Sequence, residues 1–160
     1  MAVTYDKIAT NTLGSAAASI TFSSIAGTYT DLVLVVNANV TSGTEDIALT
    51  FNGDTATNYS RTLIYGDGTT AASVRSSSQA RIAIAGFSST IGNAIVSIQN
   101  YSNATTYKTA LARGNLTTAG TYALVGLWRN TAAITSLTVA TTGSTWTAGS
   151  TFNLYGIKAA

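Results

Sequence analysis

The chain has 160 residues, about one domain's worth, and holds no cysteine, no histidine and no proline. That excludes disulfides and thiolate zinc sites, and it removes the commonest metal ligand and the usual general base near neutral pH. Charged residues make up only 9% and the net charge is +2, so the chain either shows a neutral Thr/Ser/Asn surface or buries much of its surface against partners.

The first segment, residues 3–13, reads as a weak strand, and 19–25 as a second with Ile20 and Phe22 on one face. Residues 32–40 alternate Leu32, Leu34, Val36, Ala38 and Val40 on one face, with Val33 and Val35 opening the other. Residues 47–51 and 59–65 follow, separated by the Asn-Gly turn of "FNGD". The polar stretch 69–80, "TTAASVRSSSQA", is expected to be an exposed loop, with irregular strand pairing as the alternative. Strands are then predicted at 81–87, 94–101, 109–115, 122–129, 134–141 and 151–158, with turns every 8–15 residues. The composition is rich in Thr, Val, Ile and aromatics and poor in helix formers. The chain reads as one all-β domain over 1–160, a jelly-roll-like antiparallel β-sandwich.

Residues 32–36 and 122–128 are apolar on both faces. Such a strand lies at the centre of a core or has its outer face covered by another subunit, and the low charge favours the covered face. The closing strand is also apolar on both sides, Phe152 and Leu154 against Tyr155 and Ile157, and is expected to be central and covered on both.

Chemistry is poorly supported. Ser–His catalysis lacks its His, and no lysine stands in S-x-x-K spacing. The six carboxylates, Asp6, Asp31, Glu45, Asp46, Asp54 and Asp67, occupy ordinary turn and strand-entry positions rather than a facing pair. The loops 52–58 and 65–69 offer oxygens but not EF-hand spacing, and hairpin turns explain both. No cofactor, metal site or catalytic residue is therefore expected. The eight cations are scattered, without the basic cluster of a nucleic-acid binder. No stretch approaches eighteen apolar residues, so no membrane span is expected, and the N-terminal segment lacks the apolar core of a secretory leader. Trp128 reads as core or interface; Trp146, in the turn-rich "GSTWTAGS", reads as exposed, a weak signal for sugar stacking.

The segments 5–36 (opening "YDKIATNTL" and closing through "YTDLVLVV"), 49–69 ("LTFNGDTATNYSRTLIYGDGT"), 126–139 ("GLWRNTAAITSLTV") and 148–159 ("AGSTFNLYGIKA") together resemble, in order, a family of tailed-bacteriophage virion structural proteins, known as capsid cement or decoration proteins or as tail-fibre-like proteins. The resemblance implies a capsid cement protein that binds and stabilises the major capsid shell, with the major capsid protein as partner, on the virion surface after assembly in the host cytoplasm. The alternative it leaves is a tail-fibre or receptor-binding domain recognising host polysaccharide. A homotrimer is expected from the three-fold positions of shells and fibres alike. Partner contacts are expected at the N-terminal Val3, Tyr5, Lys7 and Ile8, at Arg75 in the 69–80 stretch, and at Trp146. Many relatives carry a longer insertion where this chain has only "AGFSSTIGNA" at 85–94.

Overall fold

The computed structural model describes residues 4–116 and 120–158, and these form twelve strands. In chain order they are β1 (Tyr5–Thr12), β2 (Ser19–Phe22), β3 (Asp31–Ala38), β4 (Thr44–Phe51), β5 (Tyr59–Gly66), β6 (Ala71–Gln79), β7 (Ile82–Ser88), β8 (Gly92–Ile98), β9 (Lys108–Leu116), β10 (Gly120–Trp128), β11 (Leu137–Thr141) and β12 (Thr151–Ile157). Every pairing is antiparallel. The strands make an eight-stranded sheet, β1-β12-β3-β8-β9-β10-β5-β6, and a four-stranded sheet, β2-β11-β4-β7.

Period-two alternation builds the core between them. Leu34, Val36, Val96, Leu124, Phe152 and Leu154 face inward from the large sheet, and Ile20, Ile47, Leu49, Ile84, Leu137 and Val139 from the small one. Burying each such side chain stabilises the fold by about 1.5–3 kcal/mol. The small sheet ends with β7, which packs mainly over β9, β10 and β5. Val74 on β6 is accordingly exposed although its cross-strand partner Leu63 is buried. Close approach requires glycine at several strand positions, Gly126 and Gly156 among them. A Cβ on Gly126 of β10 would stand 2.7 Å from Ile82 of β7, and one on Gly156 of β12 would stand 2.3 Å from the Tyr29 ring, which lies flat against that backbone.

Three expectations need correction. The stretch 69–80 is not a loop: it closes a β5–β6 hairpin through the Asp67–Thr70 turn, and β6 is the edge strand of the large sheet. Its side chains carry no apolar face because no layer covers them; the backbone ladder to β5 alone makes it a strand. The Asn-Gly turn has the expected geometry, with φ of 52° at Asn52 and 67° at Gly53 and the Asp54 amide donating to the Phe51 carbonyl at 2.9 Å. It is no hairpin, however, since β4 and β5 belong to different sheets. Finally, β12 sits between β1 and β3 and buries Phe152 and Leu154, but Tyr155 and Ile157 on its other face are only half-buried.

The core makes stability depend on alkaline pH. Burial pushes the Tyr59 phenol up to about 12, and raises Tyr101 and Tyr122 above the ordinary value as well. A phenol whose folded value is raised contributes stability that is fully present below about pH 10 and lost as pH rises through the folded value. Lys108 acts in the opposite sense. Its buried ammonium, donating to the Thr106 and Thr131 carbonyls at 2.6 and 3.1 Å, is held below the ordinary lysine value by burial, so stability is gained as pH rises toward about 10.5. With no histidine to titrate, the melting temperature is expected to stay flat from about pH 5 to 9 and to fall above about pH 10.5, Tyr59 alone removing roughly 2–3 kcal/mol by pH 12. Thermal melts followed with tyrosinate absorbance check this; a steep change near pH 6–7 would contradict it.

Candidate binding face

The outer face of the eight-stranded sheet is where the chain's unsatisfied apolar surface collects. Register aligns one continuous row across all eight strands: Lys7, Tyr155, Val33, Ser97, Leu111, Val125, Thr62 and Arg75. The adjacent row runs Asn153, Val35, Ile95, Arg113, Ala123, Ile64 and Ser73. Tyr5 joins the face at one corner, opposite Ile157. Tyr5, Ile64, Leu111 and Val125 are all more than half exposed, at 58, 57, 52 and 51%. Leu111 and Val125, paired across β9 and β10, and Ile64 one row over on β5 form an exposed apolar cluster of the kind that marks interaction sites, with Tyr5 apart from them on the β1 edge. A shallow groove of about 370 Å³ crosses it, floored by Val33, Val35, Ile95 and Ser97 and walled by Tyr5, Tyr155 and Arg113. A second groove of about 370 Å³ continues from Ile95 and Arg113 past Asn93, Asn115 and Thr121.

The charges are distributed one-sidedly. Lys7, Arg75 and Arg113 are exposed on this face, and among the described residues none of them is in an ion pair. The carboxylates are committed elsewhere. Asp46 pairs with Arg61 at 3.3 Å, and Asp6 with Lys158. Asp54 accepts from the Trp128 indole, the Asn58 amide and the Ala56 backbone, and Glu45 accepts from the Thr142 hydroxyl. Asp67 accepts from the backbone of Thr69 and Thr70. Asp31 stands at the corner of the face, its Oδ1 held by the Asn100 amide at 2.7 Å. The loops 52–58 and 65–69, considered above for a cation, thus turn their carboxylates toward N–H donors. Those donors hold Asp54 and Asp67 below the ordinary aspartate value, led by the Asn58 amide and the Thr70 backbone respectively.

No group of three or more His, Cys, Asp or Glu comes together among the described residues. A wider hollow, about 690 Å³ at the end of β5, β6 and β10, is lined by Ile64, Tyr65, Gly66, Ala71, Ala72, Ser73, Thr121, Tyr122 and Ala123. Its lining includes no carboxylate and no cation. It offers apolar contact and a few hydroxyls, and no acid–base pair.

The residues singled out in the sequence scatter. Tyr5, Lys7 and Arg75 lie on the outer face, the first two on one edge strand and Arg75 on the other. Ile8 sits in the irregularity between Lys7 and Ala9 and packs against the core, and Val3 lies outside the described residues. Trp146 is a correction: it is fully buried, edge-on to Phe87 at 5.6 Å and Phe152 at 5.4 Å, because its loop folds inward to bridge Ala17 and Val40. It can touch neither partner nor sugar. Leu111, Val125, Ile64 and Arg113 carry no individual signal in the sequence, although the two-sided apolar pattern of 122–128 points to their face.

Compared with protein-family models and with curated proteins, the chain matches none. No helix among the described residues is long and apolar enough to cross a membrane.

Proposed function

We propose that this protein is a structural component of a tailed-bacteriophage virion, a capsid cement or decoration protein that binds the major capsid protein and stabilises the shell by contact alone. The observation that carries the reading is the partly apolar outer face of the large sheet, which carries cations that are in no ion pair among the described residues, in a chain whose carboxylates are all occupied with structural hydrogen bonds or ion pairs. Such a surface suits binding and offers little for catalysis.

The topology supports a jelly-roll reading. The orders β1-β12-β3-β8 within the large sheet and β2-β11-β4-β7 in the small one are together the interleaved order of two nested Greek keys. The remaining strands enter as additions. β5 and β6 are inserted between β4 and β7, and β9 and β10 between β8 and β11; together they widen one sheet beyond the other. Jelly rolls serve in viral shells and in lectins, so the fold supports a virion role by analogy only. The sequence resemblance described above supports it independently. A homotrimer at three-fold positions of the shell fits both, since symmetric repetition lets modest contacts act together.

Copy number tests the reading. Quantitative mass spectrometry of purified virions is expected to find hundreds of copies, matched to shell symmetry, and shells lacking the protein are expected to burst at lower temperature. A handful of copies per virion would favour the tail-fibre or receptor-binding alternative and overturn the cement role.

A further inference from the structure

We propose that the outer face of the eight-stranded sheet docks on a protein surface that is apolar at its centre and carries carboxylates at its rim. The inference rests on the shell-binding reading and specifies the chemistry of the partner's surface.

Size comes first. Eight strands span seven gaps of about 4.8 Å, roughly 34 Å, and six or seven residues along each strand add about 20 Å. That is roughly 700 Å², close to the about 800 Å² that each partner contributes to a stable interface. Arrangement comes next. Leu111 and Val125 stand side by side in the middle of the sheet, while Lys7 and Arg75 close the two ends of the same row. Arg113 stands on β9 between Ile95 and Ala123, so one cation lies beside the apolar centre and two close its rim; an apolar centre with charges around it is the ordinary anatomy of a protein interface. Charge then selects the occupant. Among the described residues the exposed cations Lys7, Arg75 and Arg113 are in no ion pair, and the one carboxylate on the face, Asp31, stands at a corner engaged with the Asn100 backbone amide. A second copy stacked face to face would set cations against cations across an apolar seam, which is unfavourable. A nucleic acid would meet Leu111, Val125 and Ile64 where it needs a basic track. An acid-rimmed, apolar-centred protein surface answers both features together.

The test uses empty shells of the phage that encodes the chain, prepared without this protein, and compares binding of the full chain with two variants. The first is the triple reversal Lys7→Glu, Arg75→Glu, Arg113→Glu; the second is Leu111→Asp. All four side chains are exposed, so unchanged melting temperatures are expected and serve as the folding control. Both variants are expected to bind at least about tenfold more weakly, with the triple reversal also losing most of the salt dependence seen for the natural chain. If Leu111→Asp abolishes binding while the reversal leaves it intact, the face docks but the acidic rim is wrong. If neither matters, the protein holds shells by another surface, and this inference falls while the cement reading stands. If Leu111→Asp instead breaks up oligomers of the free protein, copies of the chain cover the face and the inference falls. Absence of shell binding by the natural chain would overturn the cement reading itself, and this inference with it.

Discussion

Replacing Trp146 by alanine is expected to lower stability by about 3–5 kcal/mol, the range for removing a large aromatic from a packed core. The ring is fully buried and joins the two sheets: Phe87 belongs to β7 of the small sheet and Phe152 to β12 of the large one. Its backbone exchanges hydrogen bonds with Ala17 at 2.8 and 3.1 Å, so the same residue fixes the chain leading into β2. Removing the indole leaves a void that touches both layers, and neither layer can close it without moving the other. A whole domain has only about 5–15 kcal/mol to lose. The melting temperature is therefore expected to fall by about 10 °C or more, which scanning calorimetry reads directly. Trp146→Phe keeps much of the packing and is expected to lose clearly less. A variant that melts normally but fails to join particles would mean that the ring is a contact residue and not a core one.

Trp146 also shows where reading the sequence stops short. It stands among Gly143, Ser144, Thr145 and Thr147, so no alternation marks a face, and turn residues on both sides suggest exposure. What buries it is the inward fold of the whole loop, a long-range event in which Thr147 donates to the Asn39 side chain at 2.6 Å and the Thr41 amide to the Thr145 carbonyl at 2.9 Å. The inward faces of β3, β10 and β12 are legible, since alternate residues along each strand are buried apolar ones and that alternation stands in the sequence. β6 was missed for the converse reason. With nothing packed over it, it carries no apolar signal, and only cross-strand pairing makes it a strand. The outer face was legible as an excess of apolar residues on the wrong side of 32–36 and 122–128. Its composition was not, because a row such as Lys7, Tyr155, Val33, Leu111, Val125 and Arg75 is assembled by register from six distant strands, and register is not written in any one of them.

Asp54 is expected to be the most sensitive of the chain's carboxylates. It follows the Asn52–Gly53 turn, which carries the chain from the small sheet to the large one. Its Oδ2 accepts from the Trp128 indole at 2.7 Å and from the Asn58 amide at 3.0 Å, and its Oδ1 from the Ala56 backbone at 2.9 Å. Its own carbonyl accepts from the Tyr59 hydroxyl at 3.0 Å, and that hydroxyl in turn accepts from the Phe51 amide at 3.1 Å. Trp128, Tyr59 and Phe51 are mutually packed, with Trp128 and Tyr59 stacked at 6.2 Å. One carboxylate therefore holds the crossover between sheets and the polar edge of an aromatic cluster. Asp54→Ala strands the indole N–H and frees the 54–58 loop. With hydrogen bonds to a charged group contributing about 1.5–3 kcal/mol, a net loss of about 2–4 kcal/mol is expected. Asp54→Asn keeps a carbonyl for the indole and is expected to lose less. The pH dependence separates this from mere packing. Because the N–H donors hold Asp54 below the ordinary 3.8, its contribution is present above about pH 4 and is lost as pH falls through the lowered folded value. The acid limb of the stability profile is thus expected to be shallower in Asp54→Asn than in the natural chain, read as unfolding midpoints in urea from about pH 5 down to about pH 2. Identical acid limbs would mean that the carboxylate's charge contributes nothing and that the loop is held by shape alone.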